Sequence, residues 1–508
     1  MPDSEKKAAA PDLSACRAEI DRIDKEFLRL FAERMDVCAR VAEYKAGRGL
    51  PVFDAEREKA KLDSVAASVP SRYGSSAREL YETVFRLSRE YQERLIGEMK
   101  LRCGLLGKKL GHSYSKPIHA LLGAYSYDYF EKEESEVAGF VSGGGWDGLN
   151  VTIPYKKNAA ALADVLSDAA RATGSVNTLV RRDGIIFGYN TDVAGFTALV
   201  RRSGADSAGR HALVLGSGGA SRAVVYALES LGARVTVISR SGENNYGNLD
   251  KNRDASIIVN ATPVGMFPDN GRSPIDLSLF PALCGVFDLI YNPSRTAFLA
   301  QAEKFGVPAF GGLYMLVAQA AASYSLFTGN PVPDGTVAEI AETVERETSN
   351  LILIGMPGCG KTATGQALAL KLGREFIDCD RETEKLLGMP IPDFLRERGE
   401  CAFRDAETEA LKNVCRLSGK IIATGGGCVT RPENRDILRQ NGKTVLLLRD
   451  LARLSSEGRP LSREKGVERL FAEREPLYRA FADVTVEVKE TGGAEGTAGE
   501  IIKLLGLK

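Results

Sequence analysis

"LILIGMPGCGKT", residues 351–362, is a short apolar run that enters a glycine-rich loop and closes on Lys361 and Thr362. In Gly355-x-x-x-x-Gly360-Lys361-Thr362, with Gly358 inside the loop, the backbone amides can cradle phosphates. The lysine then reaches the terminal phosphates and the threonine hydroxyl takes Mg²⁺. The pattern predicts a nucleoside triphosphate, ATP or GTP, without saying which group receives the phosphate. Residues 1–350 stand in front of the loop and have to be read for the acceptor.

A chain of 508 residues is too long for one core and suggests roughly three domains. Lys plus Arg equals Asp plus Glu, 67 against 67, so no global field favours nucleic acid or an anionic membrane. The nine cysteines are scattered singly, with no C-x-x-C pair, which argues against a disulfide framework or a zinc site and for a reducing cytosol. Residues 1–12 read as a polar tail without a signal-peptide core. The most apolar stretch, "LYMLVAQAAASYSLF" (313–327), is too short to span a bilayer and contains Gln319. A soluble, cytoplasmic chain is the expectation.

Three grammars follow one another. Over 13–97, Ile20, Ile23, Phe27, Leu30, Met35, Cys38, Val41 and Tyr44 recur at helical spacing, with charges between them. A first helix is predicted from about Ser14 to Ala46, before the "GRGLP" break. It is about three times the usual length and needs a partner subunit to bury its stripe. From residue 100 the pattern becomes that of an α/β protein. Clear strands are "HALVLG" (211–216), "RVTVIS" (234–239) and "ASIIVNA" (255–261). A linker is predicted over 331–349, and a second α/β segment over 350–508.

In the helical segment, Arg34 and Lys45 are eleven residues apart and share a face, while Arg17 falls roughly 100° away. Spacing alone fits solvated charge on amphipathic helices equally well. The order of residues in "CRAEIDRIDKEFLRLFAERMDVCARVAEYKAGRGLPVFDAERE" (16–58) and "SREYQ" (88–92) closely resembles the all-helical chorismate mutases. The resemblance implies that Arg17, Arg34, Lys45 and Arg57 clamp a dicarboxylate, with Arg17 supplied by the second subunit of an intertwined homodimer. Asp54 and Glu58 then lie near the substrate hydroxyl, Lys45 and Gln92 at its ether oxygen, and Ser88 in the pocket. A pericyclic rearrangement needs capture and electrostatic stabilisation rather than a nucleophile, and that matches this composition.

"ALVLGSGGASRA" (212–223) places Gly216, Gly218, Gly219 and Ala220 between a strand and a helix, as a dinucleotide pyrophosphate requires. The next strand runs into Arg240, which suits a 2′-phosphate and favours NADP over NAD. Around the loop stand "GHSYSKPIH" (111–119), "NVTIPYK" (150–156), "GSVNTL" (174–179), "GYNTDVAG" (188–195), "NATPVGM" (260–266), "DLIYNPSRT" (288–296) and "GGLYMLVAQA" (311–320). Together they resemble shikimate dehydrogenase. The resemblance implies a substrate-binding part over about 100–200, an NADP-binding part over 205–305, and a return to the first part over 306–330. It makes Lys156 and Asp192 the catalytic pair, with Ser113 and Ser115 at the substrate carboxylate. Thr152, Asn177, Asp192 and Gln319 would hold its hydroxyls, with Tyr291 adjoining. His112 and His119 could suggest a metal, but their motif position favours a structural role. Two local departures are a proline shifted by Lys116-Pro117, and Ala120 in place of a commonly polar residue. A third is that only 18 residues lie between Ser241 and Asn260, which predicts a missing helix in the NADP-binding part.

After the phosphate loop come "FIDCD" (376–380), "GECAFRDAE" (399–407), "IIATGGGCV" (421–429), "GRPLS" (458–462) and "REPLY" (474–478). This set resembles shikimate kinase. It implies that Thr362 and Asp378 serve Mg²⁺ and that Asp380 holds the acceptor hydroxyls. Arg404 and Arg474 would grip its carboxylate, Gly426 would give a backbone amide, and Arg459 would close a compact lid over ATP.

The expectation is therefore multidomain: an all-α chorismate mutase domain, an α/β dehydrogenase with a Rossmann-like NADP part, and an α/β P-loop kinase. Three reactions of the shikimate pathway would share one chain. The alternative keeps the dehydrogenase and kinase and makes the helical domain a regulatory, dimerising module.

Overall fold

The computed structural model describes residues 12–111, 113–454, 466–489 and 492–507. Its first domain is three helices: α1 (Leu13–Ala46), α2 (Ala55–Ala67) and α3 (Gly74–Met99). Asp12 caps α1 by accepting from Ser14 N, and Asp54 caps α2 by accepting from Arg57 N, each satisfying an orphan helix donor. Most of the stripe predicted on α1 stays in the open, while Met35, Cys38 and Val41 are half-buried. Ile20 is 56% exposed, Phe27 47% and Leu30 51%, and of all α1 only Ala42 is buried. Apolar side chains left in this way on a 34-residue helix find no cover among the described residues.

The middle region, from Arg102 to Thr328, has two lobes. The first is built from β1 (Arg102–Gly107), α4 (Ser115–Leu122), β2 (Ser126–Glu131), α5 (Glu134–Gly143), β3 (Gly148–Val151), α6 (Lys156–Leu162), β4 (Val165–Leu166), α7 (Asp168–Thr173), β5 (Thr178–Arg182), β6 (Ile185–Tyr189) and α8 (Thr191–Ser203). Its sheet runs β2-β1-β3-β5-β6-β4, parallel except where β5 meets β3 and β6. The second lobe holds β7 (His211–Leu215), α9 (Gly219–Ser230), β8 (Arg234–Ile238), β9 (Ile257–Asn260), β10 (Gly285–Asp288), α10 (Ala297–Lys304) and β11 (Ala309–Phe310) in a parallel sheet β11-β10-β9-β7-β8. Both faces of this sheet are buried, and its central strands β7, β9 and β10 are buried throughout. Between β8 and β9 stands only a short 3₁₀ turn, Leu249–Asn252, in place of a helix, as the 18-residue spacing predicts. α11 (Leu313–Thr328) returns to the first lobe and packs on α8.

The stretch expected as a linker is ordered structure. Asp334–Thr348 forms α12, whose Val337, Ile340, Ala341 and Val344 are buried against α11 and α4 with Ile118 and Val317. The correction has a simple cause. The charged residues of "TVAEIAETVERETSN" conceal an apolar stripe at i, i+3, i+4 and i+7, and burying each Val or Ile contributes about 1.5–3 kcal/mol.

The third domain starts at β12 (Asn350–Ile354) and continues through α13 (Lys361–Leu372), β13 (Phe376–Asp378), α14 (Cys379–Leu387), α15 (Ile391–Cys415), β14 (Ile421–Ala423), α16 (Asn434–Arg439), β15 (Gly442–Leu448) and β16 (Val484–Glu487). Helices Val467–Phe481 and Gly493–Leu504 complete it. The sheet is parallel, ordered β13-β14-β12-β15-β16, so β12 lies at its centre and the loop after it opens at the carboxyl ends of the strands. Gly399, at φ 79°, kinks α15. Among the described residues, no helix is long and apolar enough to cross a membrane.

Candidate active sites

In the helical domain, Arg34, Lys45, Asp54, Arg57, Glu58, Ser88 and Gln92 line one cavity of about 610 Å³. The three helices supply them because α3 packs on both α1 and α2. Arg34 donates to Ser88 Oγ, and Ser88 Oγ donates to Val84 O at 2.6 Å. Lys45 Nζ donates to Val52 O at 2.6 Å. Gln92 is buried, donates Nε2 to Ser88 O at 3.1 Å, and leaves Oε1 without a partner. Arg17 is exposed on α1 and is not among the lining residues. Arg89, which the sequence reading passed over, pairs with Glu58 at the cavity wall. Its place beside Ser88 in "SREYQ" was the available signal.

Between the lobes of the dehydrogenase region, Lys156 begins α6 and Asp192 lies in the first turn of α8. Lys156 Nζ is 2.5 Å from Asp192 Oδ2, while Asn177 Nδ2 donates to Oδ1 at 2.8 Å. Asn177 Oδ1 in turn accepts from Thr191 N at 2.7 Å, and Thr191 Oγ1 donates to Gln319 Oε1 at 3.3 Å. One hydrogen-bonded network thus joins four of the predicted residues' elements. Ser113 Oγ and Ser115 Oγ are 3.1 Å apart at the start of α4, and Thr152 follows β3. Tyr291 lies in the second lobe, its ring 5.0 Å from that of Tyr114.

The glycine turn meets this network from the other lobe. Gly216 has φ 106°, Gly218 caps α9 and Gly219 is its first residue. A Cβ on Gly219 would stand 3.2 Å from Ser175 Oγ and 3.8 Å from Lys156 Cδ. The helix start therefore lies beside the lysine, at a distance that leaves room for ordinary contact. Ala220 follows in the same helix, and Arg240 is exposed just beyond β8. A phosphate at the α9 N-terminus and an anion near Arg240 fit these groups. His119 has the packed surroundings that its motif position favours. It is buried, its Nδ1 is 2.5 Å from Tyr125 OH, its ring stacks on Tyr127, and burial pushes its pKa down to about 3. Among the described residues no cluster of three or more His, Cys, Asp or Glu could hold a metal; His112 lies outside them.

In the third domain a cavity of about 620 Å³ joins the phosphate loop to a polar end wall. Gly355, Gly358 and Gly360 have φ of 142°, 86° and 104°, turning the loop's amides inward in a conformation that side chains resist. Lys361 Nζ folds onto Gly355 O at 2.8 Å and Met356 O at 3.1 Å. Thr362 Oγ1 donates to Asp378 Oδ2 at 3.0 Å, which pairs a hydroxyl with a carboxylate where a hard cation would need both. At the far end, Arg404 meets Glu407 at 2.7 Å and Glu400 at 3.1 Å, and its buried Nε has no partner. Arg474 donates to Gly426 O at 2.9 Å, and Tyr478 OH donates to the same carbonyl. Gly426 thus has its carbonyl occupied, and the residue lines the cavity. Asp380 is exposed along the cavity, and the protein around it raises its carboxyl to about 6. Glu407 was missed, although its i+3 spacing from Arg404 was legible. Arg459 lies outside the described residues.

An α/β two-lobed dehydrogenase set between a three-helix domain and a P-loop kinase domain is the class that fold and sites define. The chorismate mutase type II family profile matches residues 16–93. The shikimate dehydrogenase substrate binding domain matches 105–179, and the shikimate 5′-dehydrogenase C-terminal domain 312–342. The shikimate kinase profile matches 357–505. Shikimate dehydrogenase (NADP(+)) of Clostridium perfringens is 33% identical over 264 residues, covering 48% of this chain and 97% of that protein. The Thermus thermophilus enzyme of that name is 37% identical over 253 residues, 46% and 95%. Among solved structures, a chorismate mutase/shikimate 5-dehydrogenase fusion protein from Clostridium acetobutylicum is 37% identical, covering 48% of this chain and 97% of that one, with a TM-score of 0.47. Shikimate 5-dehydrogenase from Thermus thermophilus in complex with NADP(H) and shikimate gives 34%, 48%, 99% and 0.45. The chain belongs to the shikimate dehydrogenase family, fused between a chorismate mutase type II domain and a shikimate kinase domain. It is an enzyme of three kinds: isomerase, oxidoreductase and kinase.

Proposed function

We propose that this chain reduces 3-dehydroshikimate to shikimate, phosphorylates shikimate on a hydroxyl, and rearranges chorismate to prephenate. The carrying observation is the 620 Å³ cavity, in which a phosphate loop faces two arginines, Arg404 and Arg474. Paired guanidinium groups are what a carboxylated acceptor calls for.

In the dehydrogenase site, NADPH when bound supplies the hydride. Lys156 donates the proton that the new alkoxide requires, and Asp192 holds that ammonium in place. Asn177, Thr152 and Gln319 orient hydroxyls, Ser113 and Ser115 take the carboxylate, and Tyr291 closes the pocket from the second lobe. Gly216, Gly218, Gly219 and Ala220 admit the pyrophosphate and Arg240 the 2′-phosphate.

In the kinase site, ATP with Mg²⁺ when bound supplies the transferable phosphoryl group. Lys361 has to leave the loop carbonyls and turn toward the phosphates, while Thr362 and Asp378 hold the metal. Asp380 accepts the acceptor's proton, and Arg404 and Arg474 fix its carboxylate.

In the helical site, Arg34, Arg57 and Lys45 grip two carboxylates, with Asp54, Glu58, Ser88 and Gln92 around the ring and Arg17 arriving from a partner subunit. The open stripe on α1 supports that homodimer. Nine free thiols fit a cytoplasmic chain.

The test is one incubation of the pure chain with 3-dehydroshikimate, NADPH, ATP and Mg²⁺, followed by mass spectrometry. A shikimate phosphate is the expected product. Shikimate accumulating alone would remove the kinase acceptor, and untouched substrate would remove the dehydrogenase.

A further inference from the structure

The kinase domain touches the dehydrogenase at both segments that flank its candidate substrate residues, as well as at Asn270 and Lys304. From the first lobe, Tyr114, held between Ser113 and Ser115, donates its hydroxyl to Ser418 Oγ at 3.1 Å. From the second lobe, Asn292, the neighbour of Tyr291, accepts at Oδ1 from Asn441 Nδ2 at 2.9 Å and from Ser418 Oγ at 3.4 Å. Asn441 is buried, also donates to Ser418 Oγ at 3.2 Å, and accepts at Oδ1 from Ser294 N at 2.9 Å. Ser418 therefore bridges both lobes, and Asn441 locks that bridge to the second.

The joint is rigid on the kinase side. Asn350, at the start of β12, donates to Leu417 O at 2.6 Å and accepts from Lys420 N at 2.8 Å, and its own N–H goes to Asn441 O at 2.8 Å. Asp436 adds pairs to Arg295 at 3.3 Å and Lys304 at 3.1 Å. Tyr114 and Tyr291 are the first and second lobes' aromatic contact across the cleft, so a tie from Tyr114 to Asn292 sets the lobes' spacing at the substrate pocket.

We propose that Ser418 and Asn441 of the kinase domain are positioning residues for the dehydrogenase, fixing the Ser113–Ser115 turn against Tyr291 at the spacing the bound acid needs. The inference rests on the proposed role of those three residues. The kinase fold thereby serves as a brace for its neighbour's site, in addition to housing its own.

The experiment is steady-state kinetics of full-length Tyr114→Phe, Ser418→Ala, their double variant and Asn441→Ala. Dehydrogenase turnover is followed against 3-dehydroshikimate and against NADPH, with kinase turnover measured on added shikimate. Tyr114→Phe removes one oxygen and keeps the ring, so folding is not at stake. The expected result is a KM for 3-dehydroshikimate raised about fivefold in each single variant, with kcat and the KM for NADPH within about twofold of wild type. The double variant of Tyr114 and Ser418 should be no worse than Ser418→Ala alone, because one bond is shared. Kinase turnover should be unchanged in Tyr114→Phe. An unchanged KM for 3-dehydroshikimate in Tyr114→Phe and Ser418→Ala overturns the brace while leaving the function in place. A fall in dehydrogenase kcat together with kinase kcat also overturns it, since that marks general loosening. Wild-type protein that fails to reduce 3-dehydroshikimate overturns the function and the brace with it.

Discussion

The ammonium of Lys156 rests 2.5 Å from Oδ2 of Asp192, joining the start of α6 to the first turn of α8 across 36 residues of chain. Asn177 Nδ2 fixes the other oxygen at 2.8 Å, so the carboxylate is held from both sides and the lysine has one orientation. A lysine aimed in this way is a proton donor whose geometry depends on its partner.

Asp192→Asn should therefore lower dehydrogenase kcat by about 10²–10⁴, as Lys156→Ala should. The double variant should be little worse than either, because the two act as a unit. Kinase and mutase turnover, measured on the same preparations, should stay at wild-type levels. Independent, multiplying losses would separate the two residues' roles.

Kinase activity should fall on the acid side with a midpoint near 6, set by Asp380. Its carboxyl is raised from 3.8 chiefly by burial, and Glu407 and Asp378 add to the rise against Lys361 and Arg404. A raised folded value means that the neutral form is favoured. The stabilising contribution is full below 3.8 and is lost as pH rises through about 6. The charged form that can accept a proton gains population over the same interval, so kcat/KM for shikimate should rise about tenfold per pH unit below 6 and level off above it. Asp380→Asn should abolish turnover.

Arg17→Ala and Arg34→Ala chains should each lack mutase activity as homodimers. Mixing them by unfolding and refolding should restore about one quarter of wild-type activity, because half of the dimers are mixed and each mixed dimer rebuilds one of two sites. The expectation follows from Arg17 standing outside its own chain's cavity while Arg34 lines it. No recovery on mixing would place Arg17 outside the site, and altered dehydrogenase or kinase kinetics would favour the regulatory reading of this domain.

Shikimate made by the dehydrogenase should mix with bulk solvent before it is phosphorylated. The joint between the two domains lies at the amino ends of β12, β14 and β15, at Asn350, Ser418 and Asn441. The phosphate loop opens at the carboxyl end of β12, five residues and about 16 Å away on the far side of the sheet. Excess unlabelled shikimate should dilute label from 3-dehydroshikimate in the phosphorylated product in full, read by mass spectrometry. Label retained above the bulk ratio would mean direct transfer.

Much of each site was readable because its residues come in short, rigid packets. Lys361 and Thr362 follow their glycines directly, and the Gly216 turn follows its strand, so local geometry carries the chemistry. Arg34 and Lys45 share a face by helical arithmetic alone. Arg89 pairs with Glu58, 31 residues away, and only its place beside Ser88 pointed to it. Glu407 was passed over although its spacing from Arg404 was visible, because a charge three residues from another is usually a surface pair. Burial changes that reading: the side chains of Arg404 and Glu407 are 8% and 2% exposed. The helix α12 was mistaken for a linker because its charges outnumber its apolar stripe, and the surface it packs on belongs to α11 and α4.

The sequence by itself determined the three domains, their order, the phosphate and dinucleotide loops, and the missing helix before β9. These follow from patterns within a few turns of chain, where sterics and hydrophobic period act locally. Only the tertiary structure decided that Gly219 abuts Lys156, that Gly426 offers its carbonyl to Arg474 and Tyr478, and that Ser418 ties Tyr114 to Asn292. Such contacts join residues as much as 304 positions apart. They depend on how separately folded layers pack, and a hydrogen bond between two polar side chains leaves no periodicity in the chain from which it could be read.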